Sequence, residues 1–331
     1  MVAMVQISLH PLNRDFRREL LRAAARRADR AVHIECGSDI VVSEIFEDES
    51  IRVSNGLQAV YAVCETLEKK SILVFTGFGS VNSSIGMRVS KLFPKKSRFY
   101  DVIDDLSYGA TGFAYLKYVL RDMKWRRHCQ RAIVLEEGMK HCYGNSIHLD
   151  NASNLTSDNN GSRRQAMVYI GSFDDRLDID MMETFGTVLP IDIYGRSHKK
   201  WPDAFERLEK FAATTSNVRL MGSYDNDDLG QILAGYKFGI VPYKVGDRLT
   251  NHINPDKIYH YLNAGLAVIS SEIPQAIRME SYVGLYRKNR PVLDVLAEAD
   301  SKVSLWISAN YSWDQRWSDL MVLLDKEPSP F

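Results

Sequence analysis

Phe238 to Pro274 reads FGIVPYKVGDRLTNHINPDKIYHYLNAGLAVISSEIP. It opens on a short apolar run, Phe238 to Val241, bounded by Pro242. That is too short for most helices and fits a buried strand of a parallel sheet. A polar loop follows. Asn254-Pro255 then gives an N-cap residue with proline at the first helical position. Ile258, Tyr261 and Leu262 recur at spacings of three and four, so the helix buries one face. Gly265 ends it as a C-terminal cap, and Leu266 to Ile269 is the next buried strand. The segment is therefore strand, loop, helix, strand. Its loop and helix N-terminus lie at the carboxyl edge of the sheet, where open α/β sheets bind ligands.

Lys257 falls in the first turn of that helix. A helix N-terminus offers unpaired N–H groups and a positive dipole end, and a lysine adds a full charge. Together they suit a phosphate or diphosphate. A surface lysine beside an ordinary cap gives the same local pattern.

The run Asn254-Pro-Asp-Lys257-Ile-Tyr-His260-Tyr261-Leu-Asn-Ala-Gly265-Leu-Ala-Val268-Ile-Ser-Ser resembles the NP-x-K-x-x-E-Y-L-x-x-G-x-P-V-V-S signature of GT-B glycosyltransferases. Within that fold it is similar to the family 4 and xanthan glucuronosyltransferase types. The lysine, tyrosine and glycine match. His260 replaces the usual glutamate, and Ala267 the usual proline.

Working outward, 331 residues allow one large or two ordinary domains, and a 45% hydrophobic content can fill their cores. The formal net charge is zero, which gives no pointer to nucleic acid. Cys36, Cys64, Cys129 and Cys142 lack CxxC spacing and read as free thiols of a reducing compartment. Neither a signal peptide nor an apolar run of about 18 residues is legible. Strand and helix signals alternate along both halves, which argues for doubly wound parallel sheets. Asp150 to Arg164 is rich in Asn and Ser, reads as an exposed linker, and divides the chain near its middle.

In the first half, a helix to about Arg30 carries Arg18, Arg22, Arg26 and Arg30 every fourth residue. This stripe reads either as a solvated outer face or as a patch for anionic lipid headgroups. Ser38 to Asn55 reads as acidic and irregular. Gly77 and Gly79 supply two glycines of a GxGxxG turn, but Asn82 holds the third position, so the match is weak. Tyr115 to His128 reads as a basic amphipathic helix with Leu116, Val119, Leu120 and Met123 inward.

Tyr100-Asp101-Val-Ile-Asp104-Asp105 is similar to a Y-D-x-x-D-D segment of the same glycosyltransferases. A carboxylate there can take the proton of an acceptor hydroxyl, and aspartate is also a good helix cap. Glu136 and Glu137 follow another strand and can orient a ligand or cap a short helix. In the second half, the turn Gly171-Ser172-Phe173-Asp174-Asp175-Arg176 lets the backbone approach a ligand. The resemblance implies that it faces the donor diphosphate, with Ser172 and Arg176 as contacts. It also implies that the Met221-Gly222 turn holds the nucleotide base. Trp313, Trp317, Leu320, Met321 and Leu324 form one apolar helical face, similar to the terminal helix that crosses back onto the first domain in family 4 type enzymes.

The resemblance implies an α/β, GT-B architecture of two Rossmann-like doubly wound domains facing across a cleft. Its parts are an acceptor domain over 1–150, a linker over 151–164, a nucleotide-sugar donor domain over 165–305 and a returning helix over 306–331. The implied function is transfer of a hexosyl or glucuronosyl group from a nucleotide-diphosphate sugar to a saccharide or lipid-linked saccharide hydroxyl, in polysaccharide or glycoconjugate biosynthesis. The sugar nucleotide is a substrate; no cofactor, metal or nucleic acid is implied. Candidate catalytic residues are Asp101, Asp104, Asp105 and Lys257. Candidate donor contacts are Gly171, Ser172, Arg176, Met221, Gly222, Tyr243, Asn254, Pro255, Lys257 and Tyr261, with Glu136, Glu137 and His260 beside them. The expected location is cytoplasmic, with the Arg18/Arg22/Arg26/Arg30 face touching the membrane. A nucleotide-sugar 2-epimerase fits the same scaffold. So does a non-catalytic nucleotide-sugar-binding subunit of a polysaccharide assembly complex.

Overall fold

The computed structural model describes residues 3–15, 17–28, 30–67, 72–76, 84–103, 110–155, 163–197, 201–306 and 308–325. The chain divides into two units. One comprises Met1–Asp150 with Trp313–Phe331, the other Asn151–Ser312.

The first unit contains β1 (Ala3–Ser8), α1 (Arg18–Ala28), β2 (Arg30–Cys36), β3 (Ile40–Phe46), β4 (Ile51–Asn55), α2 (Leu57–Thr66), β5 (Ile72–Thr76) and α3 (Ser84–Ser90). It continues with β6 (Arg98–Val102), α4 (Gly112–His128), β7 (Arg131–Val134), α5 (Lys140–Tyr143) and β8 (Ser146–His148). Its sheet runs β4-β3-β2-β1-β5-β6-β7-β8. The strands from β2 to β8 in that order are parallel, while β3 and β4 add an antiparallel ribbon at one edge. The segment read as irregular is thus a hairpin. Val42 and Ile45 are buried in it, and the acidic residues 47–50 make its turn. The short apolar strands bury Val5, Ile7, Val32 and Ile34 against α2, through Val60 and Val63. Trp125 of α4 packs on Tyr100 of β6, with ring centroids 6.3 Å apart.

The arginine stripe on α1 is neither free nor simply solvated. Arg18 and Arg22 pair with Glu19, Arg30 with Glu44, and Arg26 with both Glu49 and Asp314. Asp314 belongs to α12 (Trp313–Asp325), which packs on α1 and buries Trp313, Trp317 and Leu320. Spacing put all four on one helix, but Arg30 begins β2; Glu19 is a local partner, whereas Glu44, Glu49 and Asp314 are remote in sequence.

The second unit contains β9 (Arg164–Phe173), α6 (Ile179–Gly186), β10 (Ile191–Ser197), α7 (Pro202–Thr214), β11 (Val218–Gly222), α8 (Leu229–Ala234) and β12 (Tyr236–Val241). It ends with α9 (Asp256–Asn263), β13 (Ala267–Ser271), α10 (Pro274–Arg278), β14 (Val283–Tyr286) and α11 (Val292–Lys302). All strands are parallel, in the order β11-β10-β9-β12-β13-β14. This is the doubly wound order that reverses direction between its first and fourth strands. The carboxyl ends of β9 and β12 flank that reversal, and the crevice outside them is the expected ligand position.

The segment read as an exposed linker is partly interior. Ala152 and Ser153 are buried, because Asn151, Ser153 and their neighbours bond α9 and the loop before it. Residues 156–162 lie outside the described residues, as does the Gly77/Gly79 turn. No helix among the described residues is long and apolar enough to cross a membrane.

Candidate functional site

At the reversal point, two residues before the end of β9, stands Gly171, whose φ of +139° favours glycine. Its register partner on β10 is Gly195, where a Cβ would stand 1.8 Å from the Gly171 carbonyl oxygen. A Cβ on Gly171 itself would come within 3.0 Å of the Lys257 ammonium. Two glycines therefore let a neighbouring strand and a charged side chain close on the same point.

Lys257 comes from the opposite wall. It is the second residue of α9, which begins at Asp256 with Pro255 in the N-cap position and no side-chain cap. The helix thus starts one residue later than Asn254-Pro255 suggested. At its far end Gly265 (φ +73°) turns the chain, and the Arg163 guanidinium donates to the Ala264 and Gly265 carbonyls. Such a cation suits a helix C-terminus.

The Lys257 side chain is only 6% exposed. Its ammonium donates to the Tyr243 hydroxyl and lies 4.7 Å from the ring centroids of both Tyr243 and Tyr169. Aromatic faces attract a cation, but less than a contact carboxylate would. No carboxylate among the described residues lies within ion-pair distance of Lys257. A buried ammonium is costly unless paired. The nearest identified carboxyl influence is Asp174: burial raises its pKa, but the Arg176 hydrogen bonds and charge, with the Lys257 charge, outweigh this and hold it below the ordinary value.

Asp174 and Arg176 form a tight ion pair in the β9–α6 turn, and Arg176 also sits 5.4 Å from the Tyr243 ring centroid. The turn is sewn to the β12–α9 loop. The Lys244 amide donates to the Arg176 carbonyl and the Asp178 amide to the Pro242 carbonyl, each at 2.8 Å. These bonds fix Tyr243 against Lys257.

The other candidate donor contacts divide. Ser172 is exposed and its carbonyl accepts from the Tyr169 hydroxyl. Met221 and Gly222 are exposed at the end of β11, and Gly222 has φ +86° with open space where a Cβ would point. Asn254 is buried and its carbonyl accepts from Asn151. Tyr261 serves the scaffold rather than a ligand. Its ring fills the space over Gly239, where a Cβ would be 2.4 Å away, and its hydroxyl accepts the Ile170 amide at 2.9 Å. His260 bonds Ser153 through Nδ1 at 2.8 Å and so straps α9 to residues 151–155. Tyr169 and Asp174 were missed by the sequence reading. Their only signals were a tyrosine inside a strand and an acid two places before Arg176. Tyr224 also belongs here: burial first, then the Asp256 and Tyr243 charges, raise its hydroxyl pKa.

In the first unit Asp101 is the penultimate residue of its strand. It lies within β6, fully buried, and both its oxygens are held by Arg17 at 2.7 and 2.8 Å. It is a structural ion pair, not an acceptor base. Asp104 and Asp105 lie outside the described residues. Glu136 is buried at the end of β7 without a side-chain cap bond, and Glu137 is exposed and pairs with Lys140. No cluster of three or more His, Cys, Asp or Glu among the described residues could hold a metal ion.

No family model and no curated protein matches this chain. Solved structures do. Anabaena HepE in complex with UDP and glucose matches at TM-score 0.65 and 13% identity, over 98% of this chain and 100% of that one. AviGT4, a glycosyltransferase involved in avilamycin A biosynthesis, matches at 0.62 and 8% identity, over 98% and 97%. Sucrose-phosphate synthase from Thermosynechococcus elongatus matches at 0.60 and 11% identity, over 98% of both. Against the longer TarM this chain spans 58% of that chain, at TM-score 0.49. The chain has the GT-B fold, built of two Rossmann-like units.

Proposed function

We propose that this chain is a glycosyltransferase that binds a nucleotide-diphosphate sugar in its second unit and passes the sugar to a hydroxyl acceptor. The observation that carries the reading is the Lys257 ammonium. It is buried at the sheet reversal, at the first turn of α9, opposite the bare backbone of Gly171. A diphosphate would give this charge its partner and meet the N–H groups and positive end of α9. Similarly folded structures, HepE in complex with UDP-glucose among them, support a sugar nucleotide as the donor.

In the transfer, the acceptor oxygen forms a bond to the anomeric carbon as the bond from that carbon to the diphosphate oxygen breaks. The electron pair leaves with the diphosphate. Lys257 and the α9 N-terminus stabilise that developing charge, while Tyr243 aims the ammonium. The acceptor proton goes to Asp104 or Asp105 in an inverting reaction, or to the departing phosphate in a retaining one. Asp101 is set aside because Arg17 holds it. Gly222 and Met221 border the base, and the first unit receives a saccharide or lipid-linked acceptor. The resemblance around Lys257 supports a hexosyl or glucuronosyl donor, action without a bound metal and a place in polysaccharide biosynthesis.

The test is calorimetric titration of UDP, GDP and their common sugars into the protein, then donor hydrolysis on whichever binds. Binding of one diphosphate that is lost in Lys257→Ala, with slow sugar release, supports the transferase. Absence of binding across the panel would overturn it.

A further inference from the structure

α4 was expected to bury Leu116, Leu120 and Met123. Instead these are 50%, 56% and 40% exposed, and Phe113 is 82% exposed. Trp125 alone is buried from this helix. The four apolar residues are spaced by three, four and three, so they form a single stripe. Lys117, Lys124 and Arg127 are also exposed, and at 3.6 residues per turn all seven side chains fall within an arc of about 120°. The single acid of α4, Asp122, is turned away and held by Arg126 at 2.6 Å and Tyr143 at 3.1 Å. The face therefore combines apolar bulk with positive charge and offers no carboxylate.

The C-terminal end of α4 continues the same sign. His128 is surrounded by Arg98, Lys91, Lys124 and Lys95, and it hydrogen-bonds Ser90 at 2.6 Å. Burial and those four cations push its imidazole down to about 4. A soluble helix normally turns its apolar stripe to the core. An apolar face flanked by lysine and arginine suits the boundary of an anionic bilayer, where the apolar side chains enter and the cations meet headgroups. A second copy of this chain would set Lys117, Lys124 and Arg127 against themselves, and opposing like charges is costly.

We propose that α4 is an interfacial helix that docks the first unit on a lipid surface carrying anionic headgroups, through Phe113, Leu116, Leu120 and Met123 with Lys117, Lys124 and Arg127. The paired arginines of α1 play no part in it. The inference stands apart from the transferase reading, because it uses none of the second unit.

Co-sedimentation of the full chain with vesicles tests it, using phosphatidylcholine alone and phosphatidylcholine mixed with phosphatidylglycerol. The chain should sediment with the anionic vesicles and release as salt rises. Lys117→Gln and Lys124→Gln should each weaken binding about fivefold. Leu116→Gln with Leu120→Gln should weaken it at least about tenfold, since two buried apolar side chains are lost. Leu293→Gln, an exposed apolar residue of α11, should change nothing. All these side chains are exposed, so unchanged melting temperatures confirm that the variants fold. Failure to bind anionic vesicles, or binding indifferent to the α4 variants, overturns the proposal. So does a concentration-dependent dimer dispersed by the Leu116/Leu120 variant without vesicle binding, which would give the face to a second copy.

Discussion

The Lys257 ammonium donates a hydrogen bond to the hydroxyl of Tyr243, fourteen residues earlier in the chain and more deeply buried still. The two side chains reach one point from the opposite ends of the β12–α9 connection. The lysine needs a partner there, and the tyrosine supplies a neutral one without cancelling its charge. A cation held in this way is ready for an anion.

Lys257→Ala should lower turnover about a hundredfold or more, the usual cost of removing one preorganised contact to developing charge. Stability should hold or rise, because a buried charge has gone. Single-turnover rates beside thermal melts check this; near-normal chemistry in the folded variant would remove Lys257 from the mechanism.

Tyr243→Phe keeps the ring beneath the ammonium and deletes its hydrogen-bond acceptor. The protein should lose about 1–3 kcal/mol, the cost of leaving a buried donor unsatisfied. Added nucleotide diphosphate should restore more melting temperature in this variant than in the native chain. Equal ligand-induced shifts would separate the tyrosine from the ammonium.

Asp101→Asn should cost about 3–5 kcal/mol, since it strands the buried Arg17 guanidinium. Activity per folded molecule should survive. A variant with native stability and no turnover would return Asp101 to the chemistry.

Several readings needed only local pattern. The apolar runs of β12 and β13, the spacing of Ile258 and Leu262 and the glycine after α9 placed the Lys257 helix correctly. What failed depended on partners far away in sequence. Arg26 meets Asp314 across 288 positions, and Arg17 meets Asp101 across 84. Periodicity placed Leu116, Leu120 and Met123 on one side of α4 but carried no information on what covers it. In β3 and β4 the acidic turn residues hid a hairpin, whose inner strand pairs with an edge that β2 supplies. Tyr169 joined the site because its strand pairs with β12, on which α9 packs, and no local motif encodes that neighbourhood.

Asp192 gives a pH test. It is fully buried at the amino edge of the second sheet and accepts from Arg219, Arg164 and Tyr236. Burial raises its pKa, but the Arg219, Tyr236 and Arg164 hydrogen bonds win and hold it below the ordinary carboxylate value. Its folded pKa is thus under its unfolded one. The stabilisation is full above the unfolded value, about 3.9, and is lost as pH falls through the depressed folded value. Melting curves of native protein and Asp192→Asn from neutral pH to about pH 3 should converge toward acid. A constant gap would rule the carboxylate out as the source.

Gly239→Ala should destabilise strongly, because the new methyl would lie 2.4 Å from the Tyr261 ring, which is packed and cannot retreat. Tyr261→Phe should cost less, about 1–3 kcal/mol, because it leaves the buried Ile170 amide without its acceptor. Chemical denaturation of both variants checks the ranking; a tolerant Gly239→Ala would show that α9 can shift over β12.

The second unit, Asn151–Ser312, is inserted within the first, which is completed only by α12. Synthesis of the chain therefore follows an unusual order. The inner unit can emerge and fold whole while the outer one still waits for its last helix. Until Asp314 and Trp317 leave the ribosome, α1 carries Arg26 without one of its two carboxylates and leaves uncovered the surface α12 will pack on. A chain stopped after Ser312 would carry a complete inner unit and an unfinished outer one, so nascent-chain proteolysis should find the earlier-made residues protected last.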